Sequence, residues 1–239
     1  RALLVGVSYR GTPAELSGTA SDVESIRAVL SRVGFAPEWT LCLTEDQADA
    51  YRRPTHRNII AGLRWLAHGA APGDALFFHF SGHGAQQEDP DAADADEEAL
   101  DDAIVPLDVQ QEGQITDNQI YELLVRPLPA GVRLTTLIDC VVPCSCVDLP
   151  FLCDPRRGWL QDPNPHHVEC DAICLSAVPE DEGALTPQRL GELRQRPGLV
   201  TSAFVEALHA LAARRQGPAT FLELLAQMHR QMEQSGHPR

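Results

Sequence analysis

Basic residues are scarce. Nineteen Lys and Arg stand against 34 Asp and Glu, leaving a formal charge of −15 over 239 residues. That balance excludes sequence-independent binding to nucleic acid or to an anionic membrane surface, both of which need clustered Lys and Arg. Basic peptides and metal cations are the partners such a field attracts. No apolar run approaches the roughly 18 residues that suggest a membrane span. The N-terminus also lacks a charged-then-apolar signal pattern, so a soluble, cytoplasmic protein is expected. No CxxC pair occurs among the seven cysteines. Six of them lie between Cys140 and Cys174, which does not suit a disulfide framework spread over a secreted scaffold and points to a reducing compartment. There is no internal repeat. The chain begins at Arg1 rather than Met, as a piece of a longer precursor would.

What is present reads as one α/β domain. With 44% apolar residues the chain can bury a full core. ALLVGVSY (Ala2 to Tyr9) is nearly continuous in apolar residues, as a strand buried on both faces would be. In SDVESIRAVLSRVGF, Ser21 and Glu24 read as a capping box, with Val23, Ile26, Leu30 and Val33 on one face and Gly34 as the stop. Further strands are expected near Glu38 to Thr44 and in DALFFHF (74–80), VRLTTLID (132–139) and DAICLSA (171–177). Helices are expected after Thr55, in TDNQIYELLV, and at about Leu199 to Arg214 and Ala219 to Gln231. Strands separated by helices imply right-handed crossovers and a mostly parallel sheet with helices on both faces. Two segments break the pattern. Glu88 to Asp102 carries nine acidic residues and no basic one, so it is expected in solvent or around a cation. Cys153 to Glu169 reads as a long surface connection.

Ligands of open parallel sheets bind beyond the carboxyl ends of the strands, and two stretches sit there. SGHG follows LFFHF, and its glycines let the chain turn beside His83, which is either a catalytic imidazole or a structural one. TTLIDCVVPCSCVDLP (135–150) ends the next strand. By alternation Leu137, Asp139 and Val141 share one direction, while Ile138 and Cys140 point the other way.

ALLVGVSY, ELSGTASDV, PGDALFFHFSGHG, DDAIVPLD, PLPAGVRLTTLID and VDLPF, in this order and spacing, resemble a type I metacaspase, a caspase-fold cysteine peptidase of the C14 type. The resemblance covers nearly the whole chain and implies a three-layer caspase-like fold with a mostly parallel six-stranded sheet. It also implies a single domain over 1–239, with a large-subunit-like part at 1–153, a connecting loop at 154–169 and a small-subunit-like part at 170–239. Such enzymes use a His and Cys dyad in which imidazole activates the thiol for attack on a peptide carbonyl. His83 takes the histidine's place. The family nucleophile lies two residues after the Asp that ends the strand, in a D[SC]CHSG motif, and here that position is Val141. Val142, Pro143 and Cys144 replace the flanking His, Ser and Gly. Valine has no lone pair to offer a carbonyl, and losing a nucleophile costs on the order of 10⁶ in turnover, so a pseudopeptidase is expected. Cys140 is the alternative nucleophile, its plainer role being a small thiol packed behind the strand.

The resemblance places a pocket for an Arg or Lys side chain at Thr19, Asp22, Ser81 and Asp139, with carboxylates suited to a guanidinium. Read without it, Asp22 is equally a helix N-terminal acid favoured by the dipole. Thr19 stands where the family usually has Cys. Calcium ligands map to Asp101, Asp117, Asn118 and Asp148, an oxygen set that suits a hard cation. Zinc is not expected from the cysteines and His166 and His167, whose spacing is wrong; unpaired thiols are the expectation. After DAICLSA, VPEDEGALTPQ departs from the family pattern, while GLVTSAFVEAL returns to it. A monomer is expected.

Overall fold

A computed structural model of the chain describes residues 1–88, 100–140, 146–147, 149–154, 158–161, 166–176, 198–214, 217 and 219–234. Its centre is a parallel sheet of β1 (Ala2–Gly6), β2 (Thr40–Thr44), β3 (Ala75–Gly82), β7 (Arg133–Cys140) and β10 (Asp171–Ser176), in the order β10-β7-β3-β1-β2. The described residues thus supply five strands where six were expected. All five positions of β1 are buried, as its unbroken apolar run requires of a strand covered on both faces.

Strand alternation divides the interior into two cores. On one side Leu3, Val5, Phe78, Phe80 and Ile138 pack with Ile59, Leu63 and Leu66 of α2 (His56–Ala67). On the other, Leu4, Phe77 and Leu137 meet Val23, Ile26 and Leu30 of α1 (Thr19–Arg32). Packed there too are Val200, Phe204 and Ala207 of a later helix, Leu199–Ala213, and Leu224 and Met228 of the last, Phe221–Gln234. Because β7 and β10 pair in parallel, the expected large- and small-subunit-like parts share one sheet.

Several local expectations are revised. The cap of α1 is Gly18, in the left-handed region at φ 109, with no side-chain cap bond. Ser21 lies inside the helix, and Glu24 pairs with Arg27 at 2.6 Å instead. A Cβ on Gly6 would sit 2.7 Å from the Thr19 carbonyl oxygen, so glycine there lets α1 start hard against β1. TDNQIYELLV divides. After a short helix, α3 (Val109–Glu112), it forms α4 (Asp117–Ile120), opened by a Thr116/Gln119 capping box, and then a π-helical turn over Tyr121–Val125. The two long helices near the C-terminus are α5 (Leu199–Ala213) and α6 (Phe221–Gln234).

The ends of the acidic stretch are ordered strands rather than solvated loop. β4 (Gly84–Glu88) pairs antiparallel with β5 (Leu100–Ile104), which pairs with β6 (Ile115–Thr116); residues 89–99 lie outside the described set. The end of β5 is buried on both faces, since the successive residues Ala103 and Ile104 point to opposite sides and both are fully covered. The connecting segment also carries structure: β8 (Phe151–Asp154) and β9 (Gly158–Gln161) form an antiparallel hairpin. Five cysteines, Cys42, Cys140, Cys153, Cys170 and Cys174, take part in no disulfide, as expected, but Cys146 is disulfide-bonded. Among the described residues, no helix is long and apolar enough to cross a membrane.

Candidate active site

The carboxyl ends of β1, β3 and β7 come together because the strands run in register, with Gly6 beside Ser81 and Ser81 beside Asp139. Onto this edge the first turns of α1 and α5 are laid, bringing Thr19, Asp22 and Thr201.

His83 stands just past β3. Its ring Nε2 lies 2.7 Å from the Ala14 carbonyl oxygen, and its backbone N–H donates to the Tyr9 hydroxyl at 3.0 Å. The Tyr9 ring packs on the imidazole with centroids 4.7 Å apart, and the Tyr9 hydroxyl donates to the Val105 carbonyl at 2.6 Å. Tyr9 is the one non-glycine residue with positive φ, 50, among the described residues. Its strained turn is held by Glu45, whose Oε1 accepts the N–H groups of Ser8 at 2.6 Å and Tyr9 at 2.5 Å, and whose Oε2 accepts that of Arg10 at 3.2 Å. An imidazole braced at ring nitrogen, ring face and backbone has one orientation to offer.

The acidic pair lies on the α1 and α5 side of the sheet. Asp22 Oδ2 accepts the Ser81 hydroxyl at 2.7 Å and the Gly198 N–H at 3.3 Å. Asp139 Oδ2 accepts the Thr201 N–H at 2.7 Å. A Cβ on Gly198 would lie 2.3 Å from Asp139 Oδ2 and 2.6 Å from Asp22 Oδ2, so both acids converge on one spot that only a residue without a side chain leaves open. Burial pushes the Asp139 carboxyl up to about 6 against the lowering effect of its bonds to Thr201, and the neighbouring Asp22 adds to the rise. Burial likewise raises Asp22, opposed by Ser81 and Gly198. Burial thus works against charge on both acids, while N–H and O–H donors from α5 and β3 favour the charged form. Thr19 is buried and tied to Ser8, their hydroxyl oxygens 2.6 Å apart.

Cys140 sits on the other face. It packs against the α2-side core together with Ile138, whereas Asp139 turns to α5. Burial holds its thiol well above the ordinary value, and the Asp139 charge reinforces this. A thiol kept protonated is a poor nucleophile. Val141, Val142, Pro143 and Cys144 lie outside the described residues.

Of the calcium set, the Asp148 position and the Asp101 side chain also lie outside them. Asp117 opens α4, and its two carboxylate oxygens accept the N–H groups of Asn118 at 2.7 Å and Asp102 at 3.2 Å, which ties α4 to β5. Among the described residues no group of three or more His, Cys, Asp or Glu side chains forms a metal cluster. His167 lies 3.9 Å from Glu169, and His166 packs on the Tyr121 ring. A surface hollow of about 430 Å³ lies between α1 and β2, lined by Glu24, Arg27, Cys42, Asp46 and Arg52.

The profile of the metacaspase, peptidase C14 domain matches residues 1–150. The chain belongs to the metacaspase family. Metacaspase-1 of Mycosarcoma maydis is 42% identical over 164 residues, covering 69% of this chain and 40% of that protein. Metacaspase-3 of Arabidopsis thaliana is 39% identical over 218 residues, or 87% of this chain and 59% of its own. Inactive metacaspase-4 of Trypanosoma brucei brucei is 36% identical over 247 residues, or 99% of this chain and 65% of its own. The chain therefore spans less than two thirds of each of these metacaspases.

Sequence reasoning missed the residues that brace the site: Tyr9, Glu45, the Ala14 carbonyl, Gly198 and Thr201. The last two stand in GLVTSAFVEAL, where a helix was expected from about Leu199 with no sign of what its start covers.

Proposed function

We propose that this metacaspase domain is a pseudopeptidase that holds an Arg or Lys side chain of a protein partner at Asp22 and Asp139 without cleaving it, and that calcium stabilises it through Asp101, Asp117, Asn118 and Asp148. The observation that carries this reading is the division of the strand end between two faces. The acid pair is intact on the α5 side, while the nearest thiol, Cys140, is packed on the α2 side with burial keeping its proton on. Valine at position 141 supplies no nucleophile. Two carboxylates suit a guanidinium, which pairs with such groups through fixed, forked donors. Calcium, when bound, supplies positive charge that ties together loops otherwise repelling one another; Asp117, already fixed by two N–H donors, is the best-prepared ligand. A relative whose own name calls it inactive is in keeping with this reading. The test is hydrolysis of fluorogenic peptides with Arg or Lys at the cleaved position, with calcium and with chelator. No turnover above background is expected in either case.

A second reading has one observation in its favour: His83 keeps a fully braced imidazole. In that reading His83 and Cys140 form a working dyad in a calcium-dependent endopeptidase. Calcium-dependent turnover that disappears in Cys140→Ala would establish it and remove the first.

A further inference from the structure

The residues around α2 run against the charge of the rest of the chain. Positions 51–68 carry four Arg, two His and no Asp or Glu, within a protein of formal charge −15. The first turn of α2 holds no acid, although a helix N-terminus favours one. In α1, α4 and α6 that preference is met by Asp22, Asp117 and Glu223. His56 and Arg57 stand in the first turn of α2 instead, opposed to the macrodipole.

These arginines are not neutralised further along the helix. On the other helices and their caps each described arginine spends its guanidinium: Arg27 on Glu24, Arg32 on His209, Arg126 on Glu122, and Arg214 and Arg230 on Gln227. The positions three and four residues from Arg57 and Arg64 hold Arg53, Pro54, Ile60, Ala61, Ala67 and His68, so no acid reaches either one along the helix. Among the described residues, the side chains of Arg52, Arg53, Arg57 and Arg64 have no hydrogen bond or ion pair, and all four residues are exposed. Beside them lies a groove of about 390 Å³ between α2 and the segment formed by α4 and the π-helical turn. Ile60 and Leu123 line it together with His56 and Arg64, and Glu122, already paired with Arg126, is on its α4 side. Tyr51, 78% exposed, precedes Arg52; Tyr and Arg are the residue types that interfaces favour.

We propose that this face of α2 docks an acidic segment of a partner protein, with carboxylates on Arg57 and Arg64 and an apolar side chain in the groove between Ile60 and Leu123. Charge complementarity names the occupant, since unspent guanidiniums with forked donors suit carboxylates. The apolar floor selects a peptide over a polyanion without such a side chain. Arg57 and Arg64 are separated by close to two helical turns, so they lie on one side of α2, about 10 Å apart along its axis. An extended peptide spans that distance in about three residues, so acids at positions i and i+3 meet both arginines. Because α2 covers the sheet face opposite α1 and α5, this surface is separate from the pocket of Asp22 and Asp139 and takes the opposite charge.

The test is fluorescence anisotropy of a labelled peptide of repeated Glu-Asp-Leu units titrated with the whole domain at low and at physiological salt. Binding should weaken as salt screens the pairs. Arg57→Gln and Arg64→Gln should each weaken it roughly two- to fivefold, and the double variant about tenfold. Arg133→Gln, which removes the same charge from an exposed residue of β7, should leave it unchanged. A Glu-Asp-Ser peptide should bind the wild type more weakly than Glu-Asp-Leu, which reads the groove without any substitution. Ile60→Ala should narrow that difference. Equal losses in Arg57→Gln, Arg64→Gln and Arg133→Gln would mean that net charge alone governs binding, and would overturn the proposal. Binding of Glu-Asp-Ser or of single-stranded DNA as tight as that of Glu-Asp-Leu overturns it too, as does no binding of Glu-Asp-Leu at low salt.

Discussion

At Gly198 the absence of a side chain sets how closely α5 approaches the acids. Gly198→Ala would put a methyl carbon 2.3 Å from Asp139 Oδ2, with the Asp139 carboxyl carbon only 2.8 Å away. Both atoms end a short side chain pinned by the Thr201 N–H, so the carboxylate must give up that bond or the helix must back off. The expected loss is about 1–3 kcal/mol, the usual cost of overpacking, read from urea unfolding. Asp139 makes the opposite trade. Its folded value of about 6 lies above the ordinary value of 3.8, so between those limits the folded state holds a proton that the unfolded state has released. Its contribution to stability is therefore present below about 3.8 and is lost as pH rises through about 6; Asp22, raised in the same direction, adds to this. Asp139→Asn should melt higher than wild type at pH 7, with the difference shrinking towards pH 4, and should bind an arginine peptide more weakly by roughly 1–3 kcal/mol. Melting curves at the two pH values, with calorimetric titration of the peptide, check both halves.

The loop after β1 depends on one carboxylate at the end of β2. Glu45 takes three successive backbone N–H groups from Ser8 to Arg10, and without it they compete for water in a half-buried turn. Glu45→Ala should cost roughly 2 kcal/mol, since bonds to a charged acceptor are the stronger kind. It should also free the His83 ring, visible as broadened imidazole resonances, because Tyr9 and Ala14 belong to the loop it anchors. No pattern in the sequence announced this. Elements whose cause is local were legible: β1 and β3 from continuous apolar runs, α2 from Thr55, which does cap it through Asn58 N–H, and the two terminal helices from their periodicity. Ser21 misled because a Ser-x-x-Glu pattern inside a helix looks the same as one at its start, and Gly18 provides the real start through backbone conformation alone. The site was half legible for a similar reason. His83 and Asp139 sit at strand ends that the pattern reveals, but their partners reach them across 62 to 74 residues, and a single sequence carries no sign of such pairings.

Across the whole molecule the excess of 15 negative charges opposes compaction and rewards any bound cation. Calcium binding as proposed should raise the melting temperature, by an amount equivalent to about 2.7 kcal/mol at a hundredfold excess over its dissociation constant. Asp148→Ala should erase the gap between calcium and chelator. A wild-type melt that ignores calcium up to millimolar concentration would remove it from the account.

The Tyr9 hydroxyl joins segments that lie far apart along the chain, meeting His83 at a separation of 74 residues and Val105 at 96. Closures of that span are entropically late, so the brace around the imidazole is expected to form after the folding barrier has been crossed. A bond absent from the transition state holds the door shut without helping it close. Tyr9→Phe should therefore leave the refolding rate nearly unchanged in stopped-flow measurements while speeding unfolding by roughly tenfold, the equivalent of about 1.4 kcal/mol for the two orphaned backbone groups. Equal slowing of refolding would place the brace in the nucleus instead. As expected here, the hydroxyl governs how long the native state lasts once made, and with it how long the imidazole end of the sheet resists passing proteases.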